Sequence, residues 1–191
     1  MVAAPAVLHD QVLATSSHQT ATSSAPIIVQ LPASNDTNGG STSAVDANTP
    51  AYAISSYSFG VENPATISST GGTSSGRAKF DNFTITEPVG TYSIQYFNSL
   101  TSGGHYNQIA INVRRTFNGT PTTYLTYLLG TVYITRQEQS DTSGSNGGPT
   151  ETISMTYGSI NLSYRVQNPD GSFQQPTSQC FSEILNNSSC P

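Results

Sequence analysis

The chain has little charge and no long hydrophobic run. Only 9% of its 191 residues are Asp, Glu, Lys or Arg, against roughly 25% in typical soluble domains. Six residues are basic and the formal net charge is -5, so we predict no nucleic-acid partner. No apolar run approaches the ~20 residues of a membrane span, so we also predict no membrane insertion. Ser, Thr, Asn and Gly replace the charged residues, a composition common in secreted or self-assembling β-rich proteins.

Groups that perform catalysis or bind metals are also scarce. The globular body has a single histidine, His105, and no G-x-S-x-G motif, so no Ser-His-Asp triad is expected. No Cys/His spacing suits zinc. The loop at 141–148 begins like a calcium loop, but Asn146 occupies the glycine position and Glu151 falls one residue short of the bidentate acid. We therefore predict no catalytic residue, no metal site and no cofactor, and an enzyme is the least expected class.

The two cysteines, Cys180 and Cys190, lie close together near the C-terminus. Their spacing favours one local disulfide and an oxidising compartment, the alternative being two unrelated thiols in a loose tail. The first residues lack the basic and long apolar regions of a signal peptide. We expect a secreted, extracellular protein. Either it leaves the cell without a signal peptide, or this chain is a mature form in which Met1 stands in place of the signal peptide.

Residues 1–50 are interpreted as an extended, low-complexity N-terminal arm. The arm has no Lys or Arg and almost no aromatic residue, so it buries too little apolar surface to offset its ordering entropy. One run between Pro26 and Pro32 favours a strand, which the two prolines should confine to a sheet edge or leave alone. This strand either docks on its own barrel or adds to the sheet of a neighbouring subunit. The alternative is an apolar patch in a linker that associates only non-specifically. The candidate inter-subunit strand is Ile27, Ile28, Val29, Gln30 and Leu31.

The body, residues 51–171, shows the period-2 alternation of antiparallel strands. The stretch 109–136 reads as two long strands joined by a polar turn at 118–122. The alternation reverses at Gly130, where a β-bulge is predicted, and again after Gly158. A further bulge is predicted at Asp81–Asn82.

One helix is predicted, over Thr91–Ser102. Ile94, Phe97 and Leu100 recur at helical spacing, and Gly103 stands where a C-terminal cap belongs. Sheets that bend at several positions curl into closed barrels. The expected fold is therefore mainly β, a small antiparallel β-barrel with one flanking α-helix, followed by a Cys-containing tail at 172–191.

Taken in order, the body's motifs resemble a known family. The resemblance covers about residues 52–171 and is to Hcp, the tube protein of type VI secretion systems. The motifs are Ile54-x-x-Tyr57-x-Phe59-Gly60, Gly76-Arg77-Ala78-Lys79-Phe80, Ile111-x-Val113-Arg114, Tyr124-Leu125-x-Tyr127 and Tyr157-Gly158-x-Ile160. The resemblance implies a small barrel that forms hexameric rings, which stack into a hollow tube, and some family members carry cargo in the ring lumen.

The arm and the tail lie outside the resemblance. The hypothesis is a structural, self-assembling subunit of an extracellular filament or tube, whose subunits are linked by the N-terminal arm. Truncation of residues 1–50 is then predicted to leave a folded barrel that no longer polymerises. The alternative is a hexameric inner-tube component, or exported cargo carrier, of a type VI secretion system. A second alternative, a secreted binding module, needs an exposed aromatic cluster, and the chain has no Trp. The only partner predicted is the chain itself.

Overall fold

The computed structural model describes residues 25–67, 73–142, 147–188 and 190. Residues 1–24 of the predicted arm and 143–146 of the calcium-like loop lie outside this range. The elements are β1 (Ile27–Gln30), β2 (Ala51–Ala53), β3 (Ser56–Ser58), β4 (Val61–Glu62), β5 (Ala65–Ile67), β6 (Thr73–Ser75), β7 (Lys79–Phe80), β8 (Phe83–Pro88), α1 (Thr91–Ser102), β9 (His105–Phe117), β10 (Thr120–Ser140), β11 (Thr150–Tyr164) and β12 (Thr177–Ser182).

The main sheet is antiparallel and closes on itself. Its strand order is β2-β1-β9-β10-β11-β8-β3, with β12 added to β11. The first and last strands of this order are joined in sequence by only Ile54 and Ser55. The Ile54 N–H donates to the Ile27 carbonyl at 3.1 Å, and the Ser55 N–H donates to the Thr86 carbonyl at 2.8 Å. Two adjacent residues thus bond to strands near opposite ends of the sheet order, β1 and β8. The predicted mainly β barrel with one helix is confirmed.

The core lies inside this curled sheet and follows the alternation of its strands. Inward side chains from every strand of the main order except the short β3 are almost fully buried, and Tyr57 of β3 packs against them. The buried cluster is Val29, Leu31, Tyr52, Ile54, Phe83, Ile85, Tyr96, Tyr106, Ile109, Ile111, Tyr127, Leu129, Val132, Ile134, Ile153, Met155, Tyr157 and Ile160.

A bend crosses three neighbouring strands at one level. On each strand two inward residues stand three positions apart, so the alternation reverses between them; the pairs are Tyr106/Ile109, Leu129/Val132 and Tyr157/Ile160. Thr131, in the middle, has a φ of 53°. The reversal predicted near Gly130 occurs, but the predicted bulge is wrong. The register runs without an inserted residue from Leu125 to Ile134, because the twist at Thr131 re-aims the chain instead.

The second predicted bulge is a break between strands. Asp81 and Asn82 separate β7 from β8, and the two strands pair with different partners, β4 and β11 respectively. The bulge prediction failed here because a reversal of alternation does not distinguish an inserted residue from the end of a strand.

Strand β1 lies in the wall of the barrel. It pairs with β9 on one side and β2 on the other, so the predicted edge position is wrong. The reason is that Pro26 and Pro32 stand outside the paired residues and remove no hydrogen bond from either ladder. Val29 and Leu31 are completely buried. The described part of the arm therefore packs as part of the barrel.

Helix α1 spans the predicted residues but turns a different face inward. Gly103, with a φ of 75°, ends it in the left-handed conformation, and its N–H donates to the carbonyl of Ser99. The buried residues are Ser93, Tyr96 and Ser99. Ile94 and Phe97, whose spacing predicts the helix, are 70% and 58% exposed.

Candidate functional site

The five strands β1, β9, β10, β11 and β12 share one side of the sheet, on which Ile28, Ala110 and Asn112 are buried within the subunit. Because register pairs share a face of the sheet, ten outward residues fall into two rows across the strands. We call them the neutral face, since none carries a charge. They are Ile28, Asn112, Thr126, Ser163 and Ser178 in one row, and Gln30, Ala110, Leu128, Asn161 and Cys180 in the other.

Polar groups of the neutral face bond to one another across the strands. Asn112 Nδ2 donates to Gln30 Oε1 and Thr126 Oγ1 donates to Asn112 Oδ1, both at 2.8 Å. Ser178 Oγ lies 2.9 Å from Ser163 Oγ. These hydrogen bonds link neighbouring strands without an ion pair, while Asn161 Oδ1 of the same face is buried without a partner.

The predicted disulfide residues lie at the border of this face. Cys180 is in β12, and its thiol donates to the Ser188 carbonyl at 3.3 Å. The Cys190 thiol lies 3.7 Å from the carbonyl of Ile160. Burial, then a hydrogen bond and the charge of Cys180, raise the pKa of Cys190 to about 11. The two thiols therefore lie near each other, and the disulfide stays a prediction.

Two exposed apolar pairs lie away from the neutral face. The helix pair is Ile94 and Phe97 on α1, beside a groove of about 350 Å³ that Gln137 and Gln139 also line. The tail pair is Ile184 and Leu185, which are 71% and 61% exposed. Single exposed apolar residues need no explanation, whereas large contiguous apolar patches mark contact surfaces, and each pair is a candidate centre of such a patch.

Beneath α1 the barrel holds a buried polar cluster. Glu87 of β8 and Glu151 of β11 are register partners and are 2% and 1% exposed. Ser93 Oγ donates to Glu151 Oε1 at 2.5 Å, tying the first turn of α1 to the sheet. Gln137 and Gln139 donate to Glu151 Oε2 at 2.7 and 3.0 Å.

The two carboxyl groups differ in their proton affinity. Burial raises the pKa of Glu87 to about 8; a hydrogen bond with Tyr52 opposes this shift and the neighbouring Glu151 adds to it. Burial also raises the pKa of Glu151, but hydrogen bonds from Ser93, the two glutamines and Glu87 lower it below its ordinary value. Glu87 is therefore the carboxyl that carries a proton at neutral pH.

Within residues 25–67, 73–142, 147–188 and 190, no three His, Cys, Asp or Glu side chains gather as metal ligands do. His105 stacks on Tyr133 with ring centroids 5.2 Å apart. No helix among these residues is long and apolar enough to span a membrane.

The family to which this chain belongs follows from comparison with known proteins. The family model "Type VI secretion system effector, Hcp" matches residues 34–164. Because that match covers well over half of the chain, the protein belongs to the Hcp family of type VI secretion systems, and the predicted resemblance is confirmed. Hcp proteins are secreted through that system, which agrees with the predicted secretion. No curated protein matched the sequence.

Solved structures share the fold at low sequence identity. A type six secretion system protein aligns with 19% identity and a TM-score of 0.71, covering 84% of this chain and 97% of its own. Hcp1 from Salmonella typhimurium aligns with 16% identity and a TM-score of 0.62, over 85% and 97%. A chain of the anti-feeding prophage baseplate aligns with 14% identity and a TM-score of 0.51, over 84% and 97%. At these identities the likeness concerns the fold alone.

Sequence reasoning missed the buried cluster entirely. Glu87 and Glu151 stand 64 positions apart, and only the β8–β11 register brings them together. The available signal was an acidic residue at an inward position of each strand, in line with Ile85 and Ile153. The neutral face was missed because the period-2 pattern shows outward residues but does not show which strands lie side by side.

Proposed function

We propose that this protein is a structural subunit that assembles head-to-tail with copies of itself into rings, which stack into a tube exported by a type VI secretion system. Membership of the Hcp family supports a tube subunit. The observation that supports ring closure is the presence of two different exposed apolar pairs, one on α1 and one in the tail. The proposed role is structural and not catalytic.

A closed ring needs two unlike surfaces on each subunit. In a head-to-tail interface, one patch of each copy meets a different patch of the next, and the series closes when the rotation fits. The helix pair and the tail pair satisfy this requirement, because they belong to separate elements. We propose that Ile184 and Leu185 of one copy pack beside Ile94 and Phe97 of the next.

The neutral face has the properties of a channel wall. Five of its polar side chains, Gln30, Asn112, Thr126, Ser163 and Ser178, hydrogen-bond within the face. Asn161 Oδ1 is buried without a partner in the subunit. A wall of short neutral side chains neither attracts nor repels a charged cargo. We propose that this face borders the lumen of the ring.

The role of the arm in linking subunits is also a proposal. Because β1 already pairs within its own barrel, a link between subunits requires β1 to be exchanged with a neighbour. Ile28 and Asn112 are cross-strand partners, so Ile28→Cys with Asn112→Cys, in a background of Cys180→Ser and Cys190→Ser, tests the exchange. After oxidation, exchange gives covalent multimers on a denaturing gel, whereas a cross-linked monomer rejects it.

The ring is tested by charging each apolar pair separately. Ile94→Lys with Phe97→Lys, and Ile184→Lys with Leu185→Lys, should each give monomers in light scattering and no rings in electron micrographs. Val61→Lys is the matched control, because Val61 is 53% exposed and belongs to neither pair. Rings of wild-type size from either double variant would refute the assignment of the contacts.

A further inference from the structure

The buried acidic cluster under α1 has a property that tube building does not require. Two carboxyl groups share one site inside the barrel, each almost completely withdrawn from water. Two like charges on register partners, in a poorly polarisable interior, disfavour simultaneous ionisation. A pair of this kind keeps a proton on one member when an isolated glutamate has already lost it.

The hydrogen bonds decide which member is charged. The oxygens of Glu151 accept from Ser93, Gln137 and Gln139, and three donors stabilise a carboxylate. Gln137 also donates to the main-chain carbonyl of Ser93 at 3.1 Å, which makes the charged Glu151 part of the attachment of α1.

Glu87 has the opposite surroundings. Its Oε2 atom is buried without a hydrogen-bond partner, and an unpaired oxygen in the interior strongly disfavours the ionised form. A proton on this carboxyl removes the charge and converts the group into a donor.

Among the residues that the structure describes, the ionisable groups that interact with Glu87 are all acidic. They are Glu151 from β11, Tyr52 from β2, and Tyr92 and Tyr96 from α1. The Tyr52 and Tyr96 hydroxyls bond to each other next to the carboxyl. The neighbouring side chains of β10, Gln137 and Gln139, are neutral. A second negative charge at this position would therefore have no cation to balance it.

We propose that Glu87 and Glu151 form a proton-binding pair that couples the docking of α1 to pH. With the proton on Glu87 and the charge on Glu151, α1 is held by Ser93 and by Tyr96. Loss of the proton places two charges beneath the helix and weakens its attachment to the barrel.

The direction of the effect follows from proton linkage. Above the ordinary value of 4.5 the unfolded chain releases this proton, whereas the pKa of about 8 keeps it in the folded chain. The unfolded state then binds fewer protons, so stability falls as pH rises through this window. The unfolding constant should increase by up to about tenfold per pH unit between roughly pH 5 and pH 8, and then level off.

The test measures urea unfolding of the full chain by circular dichroism from pH 5.5 to pH 8.5. Glu87→Gln keeps the shape and removes the titration, so its unfolding constant should lose most of this pH dependence. Glu138→Gln is the matched control, because this glutamate lies on β10 with its side chain 56% exposed, and it should follow the wild type. A wild-type slope in Glu87→Gln, or a flat wild-type profile, would overturn the proposal.

Hydrogen exchange of the wild-type chain gives a second reading that needs no variant. After correction for intrinsic exchange, amides of α1 should lose protection between pH 6 and pH 8.5 and should stay less protected than those of β9 at 109–113, which exchange only when the whole barrel unfolds. Equal protection of both elements at every pH would mean that α1 opens only with the whole barrel, and would refute a coupling specific to the helix. The expected slope arises within one subunit, so its absence would leave the ring proposal untouched.

Discussion

The position of β1 in the barrel wall leads to the prediction that deletion of residues 1–31 removes a large part of the stability of the fold. Val29 and Leu31 have no exposed surface in the structure. Burial of each such side chain contributes about 1.5–3 kcal/mol, so together they contribute roughly 3–6 kcal/mol. A domain of ordinary stability has only about 5–15 kcal/mol in total, so the deletion removes a large part of it.

A point substitution tests the same reasoning with less disturbance. Leu31→Ala should lower the free energy of unfolding by about 2–5 kcal/mol, because it leaves a cavity among packed side chains. Val61→Ala is the control, since Val61 is 53% exposed and belongs to neither apolar pair, and it should change the free energy of unfolding by less than about 0.5 kcal/mol. Urea unfolding followed by circular dichroism measures all of these variants.

Deletion of residues 1–24 keeps β1 and should therefore preserve the stability of the full chain. The outcome that would refute the reasoning is a chain without residues 1–31 that unfolds at the wild-type urea concentration. That result would mean that the barrel folds without β1, as the sequence alone predicts for residues 1–50.

Two further predictions concern loops and the tail. Gly40→Ala should destabilise the protein strongly, because the added Cβ would clash with the backbone of His105. Gly119→Ala should cost only about 1 kcal/mol, since Gly119 has a φ of 79° but no neighbour within 4 Å of an added Cβ. Thermal melts of the two variants measure this difference. Oxidation of Cys180 and Cys190 should lower the mass of the chain by two hydrogens and stabilise it by about 3 kcal/mol, the value for closing a loop of this size. Two free thiols in protein purified without reductant, counted by alkylation and mass spectrometry, would reject the disulfide.

The fold was predictable to the extent that it depends on local patterns. Thr91–Ser102 is a helix as predicted, because apolar spacing and a terminal Gly103 are local signals. The reversals near Gly130 and Gly158 were also visible in the sequence. What caused them was not, since a twist at Thr131 and an inserted residue leave the same mark on the alternation.

Features that depend on pairing between distant strands could not be predicted from the sequence. The strand before Pro32 was expected at a sheet edge. In the structure it pairs with β9 on one side and β2 on the other, and the sequence does not show which strands pair. The same holds for Glu87 and Glu151, which read as ordinary acids until register places them opposite each other. Spacing alone also suggested that Ile94 faces the core. In the structure the polar Ser93 faces inward instead, where its hydroxyl donates to Glu151.

The central claim is that this chain builds rings through two unlike surfaces. Electron microscopy of the purified full chain, with its mass determined by light scattering, tests this claim most directly. We predict closed rings of one size, some of them stacked into short tubes, with a mass that is an integer multiple of the subunit. A population of monomers at all concentrations, or filaments without a ring repeat, would contradict the claim.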